Sequence, residues 1–180
     1  MDPAIDATLR AAFALLFLVA ASHKLRDPGR FRATLAEYRL LPGAVVPLAA
    51  MLVIGAEIVV AIALVASARR VPGPVSAAAV LVVYGAAIAL NLARGRRHID
   101  CGCAGPAIRR PISGWLVARN AALAAAALAA VAPVRSRPLV WVDALTVMGA
   151  TATLAALYAS ADRLLAHAPA PALARRRGEA

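Results

Sequence analysis

The sequence predicts an all-α fold: a polytopic membrane helix bundle of four core transmembrane helices plus a fifth, with one short amphipathic helix in the interface. Three observations predict it. The hydrophobic fraction is 62% and the mean hydropathy is +0.75, whereas soluble domains hold roughly 45–50% apolar residues. The apolar residues gather in long runs separated by short basic breaks. No run of adequate length alternates with the period of two that a half-buried strand requires. In lipid, a run this long has to satisfy its own backbone hydrogen bonds, and a helix does so.

The net charge of +11 would point to nucleic acid on a soluble chain. Here the charges sit between the apolar runs, as basic loops do at lipid headgroups. No basic motif interleaved with aromatics is present, so nucleic acid is excluded as a partner and the lipid bilayer is taken in its place. No glycine-rich phosphate loop occurs. The start, Met1 to Asp6, is acidic rather than basic and lacks a cleavage site, so the first apolar run is expected to stay as a helix.

The first span covers residues 5–21, with Arg10 near its outer end and expected to snorkel. Pro28-Gly29 is a turn signal that ends it. Residues 31–40 place Phe31, Leu35, Tyr38 and Leu41 at helical spacing among Arg32, Glu37 and Arg39, which predicts an amphipathic helix lying in the interface. The second span covers 44–68 and carries Glu57 deep inside. Val71-Pro72-Gly73-Pro74 reads as a tight turn. The third span covers 75–92, with Tyr84 and Asn91 as its polar members. Ser113 is a candidate N-cap for a fourth span, 115–131, which begins at Trp115 and holds Arg119-Asn120. The fifth covers 139–161, with Asp143 beside a basic turn at Arg135 and Arg137. Residues 1–168 form the bundle, and 169–180 read as a disordered basic tail.

Both cysteines lie in the break between the third and fourth spans, in Asp100-Cys101-Gly102-Cys103-Ala104-Gly105. Two cysteines are too few for a disulfide scaffold, so their adjacency needs another reason. Spaced i, i+2, they approach the Cα separation of a disulfide, roughly 4.4–6.8 Å, at some strain. Gly102 permits the backbone that so small a ring needs. A strained disulfide oxidises other thiols. Arg96, Arg97, His98, Arg109 and Arg110 favour the thiolate, and Asp100 relays a proton or pairs with an arginine. These residues point to redox exchange at Cys101 and Cys103. A rival reading is a metal site, since Cys-x-Cys offers two soft ligands for Cu(I) or half a zinc site, with His98 or His23 as a third. A third reading leaves the cysteines inert.

Glu57 faces the bundle interior or a polar cavity, because a carboxylate inside a span is costly. It pairs with Lys24, Arg119 or His23, either as a structural ion pair or as a proton carrier to a quinone, the one candidate cofactor. Asn91, Asn120 and Tyr84 read as interhelical hydrogen-bonding groups. The basic residues concentrate in the first and third loops and the tail. The positive-inside rule then puts the cysteines at the cytoplasmic face and the N-terminus outside.

His98-Ile99-Asp100-Cys101-Gly102-Cys103-Ala104-Gly105, followed by Ile112-Ser113 and Arg119-Asn120, resembles the Asp-Cys-Gly-Cys-Phe-Gly…Ile-Ser…Arg-Asn signature of the methylamine utilisation protein MauE family. Ala104 stands where that pattern has Phe. Phe17, His23-Lys24-Leu25, Asp27-Pro28, Phe31 and Glu57 are similar to the element after span one in the broader DoxX-like membrane proteins. The resemblance covers about residues 8–132. It implies a multi-pass bacterial inner-membrane protein needed to make methylamine dehydrogenase, helping to mature that enzyme's disulfide-rich small subunit in the periplasm. Cys101 and Cys103 are then the catalytic pair of a membrane thiol–disulfide oxidoreductase. Asp100, Gly102, His98, Arg119, Asn120, Glu57 and Lys24 support them. The partners are a client with cysteines and a quinone or thioredoxin-like redox partner. Functions of other classes remain open at this point: a metal-binding or small-solute membrane carrier, or a non-catalytic assembly scaffold.

Overall fold

The fold, given by a computed structural model, is described over residues 1–66, 71–102 and 111–167. Every regular element there is helical: α1 (Pro3–Arg26), α2 (Pro28–Glu37), a 3-10 turn (Gly43–Val45), α3 (Val46–Ala66), α4 (Pro72–Ala93), α5 (Gly114–Ala129) and α6 (Trp141–His167). Four stretches are long and apolar enough to cross a bilayer: Pro3–Arg26, Gly43–Ala66, Pro72–Ala93 and Trp141–Ala161. The 16 residues of α5 span only about 24 Å at 1.5 Å per residue, short of a hydrocarbon core about 30 Å thick. It is the shortest of the five apolar helices. The protein is a polytopic helical bundle.

Prolines mark where helices begin, and two expected turns prove to be helix starts. The Asp2 carboxylate accepts from the Ala4 N–H and caps α1, with Pro3 in the first turn. That helix runs on to Arg26, beyond the expected end at 21. Asp27 then accepts from the Arg30 N–H and caps α2, so Pro28-Gly29 opens a helix as well as turning the chain. Proline at the first helical position gives up an N–H that has no partner there. The same holds at Pro72-Gly73-Pro74, the first turn of α4, where Gly73 and Pro74 are buried. A Cβ on Gly73 would come within 2.9 Å of the Ala63 carbonyl oxygen, so glycine lets α4 start flush against α3. Ser113 does occupy the N-cap position of α5, but its side chain makes no capping bond.

Two polar contacts set α1 antiparallel to α3. Arg10 Nη1 reaches the Leu64 carbonyl, and Lys24 Nζ meets Glu57. Arg10 therefore does not snorkel. Asp6, one turn earlier, holds its Nε at 2.9 Å and draws the guanidinium into the bundle. Phe13, Phe17, Leu64 and Leu81 fill the core between the helices, with Ala77, Ala78, Ala124 and Ala127 at the closest approaches. Small residues let helix backbones pack tightly where lipid removes any hydrophobic drive to associate. A second cluster, at the end of the bundle where α4 gives way to α5, gathers Tyr38, Ile88, Ile99, Cys101, Ile112 and Leu116. The outward faces stay apolar, as at Leu52, Val59, Val65, Val83 and Leu157, which suits contact with acyl chains. Arg137 bonds both Asp2 and Asp143 and ties the start of α1 to that of α6. The pairing of Asp143 with the basic turn is as expected. The tail expected at 169–180 lies outside the described residues.

Candidate functional site

The cysteine loop is held at its two feet. The Ile112 N–H donates to the Ile99 carbonyl at 2.9 Å, and Asp100 and Pro111 face each other in a single antiparallel bridge. Both isoleucines are buried, so the polar loop stands on an apolar base. Cys101 follows directly and is 8% exposed. Cys103 lies outside the described residues, as do Arg109 and Arg110.

Helix α2 and its C-cap residue Tyr38 pack on the described part of the loop through four residues. The Tyr38 hydroxyl donates to the Cys101 carbonyl at 3.4 Å. Arg30 Nη2 meets Asp100 Oδ2 at 3.3 Å. Thr34 and Phe31 crowd Gly102, where an added Cβ would sit 3.0 Å from Thr34 Cγ2. Gly102 also has φ +70, a region that side chains with a Cβ disfavour by roughly 1–2 kcal/mol. Its N–H points to Asp100 Oδ1 at 3.4 Å. Asp100 thus braces the loop from inside and anchors it to α2.

Among the described residues, the surroundings of Cys101 are apolar where a basic pocket is expected. Its neighbours in the cluster are Tyr38, Ile88, Ile99, Ile112 and Leu116. Positive charge lies one step outward, in an open groove of about 510 Å³ lined by Arg30, Arg39, Arg96 and His98 together with Glu37 and Asp100. At the first foot Ile99 turns inward between His98, which is exposed, and Asp100, which turns to Arg30.

A second polar group lies beneath the loop. Lys24 Nζ donates to Glu57 Oε1 at 2.6 Å, and the Tyr84 hydroxyl donates to the same oxygen at 2.8 Å. Glu57 is fully buried. Of the three partners expected for it, the fold selects Lys24. The ammonium also sits over the rings of Phe31 and Tyr84, at 5.4 and 5.6 Å from their centroids, where the negative ring faces favour a cation. Glu57 Oε2 and His23 Nδ1 are buried without a hydrogen-bond partner among the described residues. A small cavity of about 30 Å³ lies between this group and the loop, lined by His23, Lys24, Asp27, Arg30, Asp100 and Gly102, with Phe31 and Thr34.

The structure brings Cys101, Gly102, Asp100, His98, Lys24 and Glu57 to one end of the bundle. Arg119 and Asn120 serve the packing of α5. The Arg119 guanidinium lies over the Tyr158 ring of α6 at 5.8 Å. The Asn120 amide donates to the Leu116 carbonyl of its own helix, and the Asn91 amide likewise to Ala87. The expected interhelical bonds of these two asparagines are therefore intrahelical, because the carbonyl one turn back is the nearest acceptor in an apolar bundle. Tyr84 does bond between helices. Sequence reasoning missed Thr34 and Tyr38 as residues touching the loop. Their i, i+4 spacing on α2 was the available signal. Among the described residues, no three His, Cys, Asp or Glu side chains gather as a metal site.

The family model for the methylamine utilisation protein MauE matches residues 2–133, from the cap of α1 past the end of α5. The chain belongs to the MauE family. A methylamine utilization protein MauE from Paracoccus versutus is 42% identical over 164 residues, covering 91% of this chain and 88% of the relative. One from Paracoccus denitrificans is 38% identical over 165 residues, covering 91% and 89%. One from Methylophilus methylotrophus is 35% identical over 170 residues, covering 91% and 87%. The family match takes in the cysteine loop, Lys24, Glu57 and Arg119, and ends before α6. No solved structure matches the chain. As a MauE-family chain with four membrane-length helices, it is a multi-pass membrane protein.

Proposed function

We propose that this protein serves methylamine utilisation from the bacterial inner membrane, as a thiol–disulfide maturation factor for a client protein rich in cysteines. The client implied by the family resemblance is the small subunit of methylamine dehydrogenase. One observation carries the reading. The only two cysteines of the chain sit one residue apart in a loop whose feet are pinned by the Ile99–Ile112 bond, and the first foot lines an open groove with basic residues.

The chemistry is exchange. A client thiolate attacks one sulfur of the Cys101–Cys103 disulfide, that bond breaks, and the leaving sulfur takes a proton. A second client thiolate then attacks the mixed disulfide. The client leaves oxidised and the loop is left as a dithiol, having gained two electrons and two protons. A quinone in the bilayer or a thioredoxin-like protein takes those electrons to reset the loop. Asp100, Arg30 and Tyr38 hold the loop's backbone while its sulfurs change partners.

Cys101→Ser and Cys103→Ser should each abolish client maturation. Each single-cysteine variant should also accumulate a mixed disulfide with the client, visible on a non-reducing gel and cleared by reductant. Full client maturation in the double serine variant would dismiss the redox reading and leave a scaffold.

A further inference from the structure

We propose that the buried Lys24–Glu57 pair is the proton reservoir of the cysteine loop, connected to it by water in the cavity beneath Asp100 and Gly102. The inference rests on the exchange reading above and gives the protons of that exchange a source and a destination.

The pair engages one carboxylate oxygen of the two. Here Oε1 receives two donors, Lys24 Nζ and the Tyr84 hydroxyl, while Oε2 is buried with no partner among the described residues. A buried polar atom left unsatisfied in a bundle calls for an explanation, and ionisable groups inside a membrane mark function more often than structure. Nδ1 of His23, the residue before Lys24, is buried without a partner among the described residues in the same way. The cavity supplies the missing link. Its volume of about 30 Å³ is room for about two waters at roughly 10–15 Å³ each, and its lining is polar. Lys24 belongs to both the ion pair and the cavity wall. Lys24 thus joins the group it forms with Glu57 and Tyr84 to the cavity that Asp100 and Gly102 of the loop line.

The protons balance over one exchange. Lys24 gives a proton through water to the sulfur that leaves when the loop disulfide breaks. The proton released by the attacking client thiol returns by the same route, and Glu57 holds the site's charge in between. The titratable groups around the pair are His23 and Lys24 of α1, Asp27 at the α1–α2 junction, Arg30 of α2, Tyr84 of α4 and Asp100 of the loop.

The test uses the full chain in lipid nanodiscs and measures the rate at which dithiothreitol reduces the loop disulfide, as a function of pH. Glu57→Gln should slow reduction about tenfold or more near neutral pH, in line with general acid–base contributions, and should change the shape of the pH profile. Glu57→Asp should recover part of the rate. Lys24→Met combined with Glu57→Leu removes both charges together, a replacement that buried ion pairs tolerate. It should fold and still be slow, which keeps the test decisive where Glu57→Gln alone does not fold. A wild-type rate and profile in that double variant would overturn the inference and leave a structural clamp. Loss of client maturation on Cys101→Ser with a wild-type rate in the double variant sinks the reservoir alone. Full maturation without either cysteine sinks the exchange reading instead.

Discussion

Gly102 is asked for two things at once. Its backbone is left-handed at φ +70, and its missing Cβ makes room for Thr34 Cγ2. Gly102→Ala should therefore weaken the loop's seat by about 1–2 kcal/mol from the backbone alone, with a further steric cost. The readout is hydrogen exchange of the loop amides, which should quicken about five- to thirtyfold. Adding Thr34→Ser, which deletes the crowding methyl, should recover only the steric share. A glycine between two cysteines announces itself in the sequence, and so does a carboxylate inside an apolar run. Thr34 and Tyr38 do not. Their partners lie more than sixty positions away, and their spacing on α2 shows a face without showing what it covers. The choice of Lys24 over His23 and Arg119 as the partner of Glu57 was equally hidden, because it depends on how far α1 slides along α3.

Hydropathy located the helices because lipid leaves a long apolar run no other structure, but it misplaced their ends. Pro28 and Pro72 read as turns because proline breaks a helix interior, yet each stands in a first turn, where it does no harm. The junction of α1 with α6 is an electrostatic one. Arg137 bonds Asp2 and Asp143 together, and its hydrogen bond holds the Asp2 carboxyl below the ordinary value of 3.8. A carboxyl lowered in the fold contributes stability above its unfolded pKa and loses it as pH falls through the lowered value. The thermal midpoints of wild type and Arg137→Gln should therefore differ at neutral pH, draw together as the pH drops below about 4, and meet only below about 2, where Asp143 is protonated as well. An unchanged gap at low pH would mean that the junction does not rest on Asp2. The exposed site makes the effect small and sensitive to salt.

Taken whole, the protein is apolar along its length and polar at one end. Arg26, Arg30, Arg32, Arg39, Arg94, Arg96 and Arg97 lie in segments at the end that carries the cysteine loop, and Arg135 and Arg137 in the turn at the other. The positive-inside rule expects the loop end at the cytoplasm, whereas a client matured outside the cell membrane needs it at the periplasm. Both arrangements require that the sulfurs meet water on one side of the bilayer. Cys101 is buried against isoleucines and a tyrosine at the base of the loop, so the access of its sulfur to water is what a test has to read. The most direct measurement gives the reduced protein Cys101 or Cys103 as its sole cysteine and applies a membrane-impermeant maleimide to intact cells and to inverted vesicles. Labelling of both sulfurs from the same single face is the predicted result. A sulfur that neither preparation labels would contradict a thiol pair that reaches partners in water.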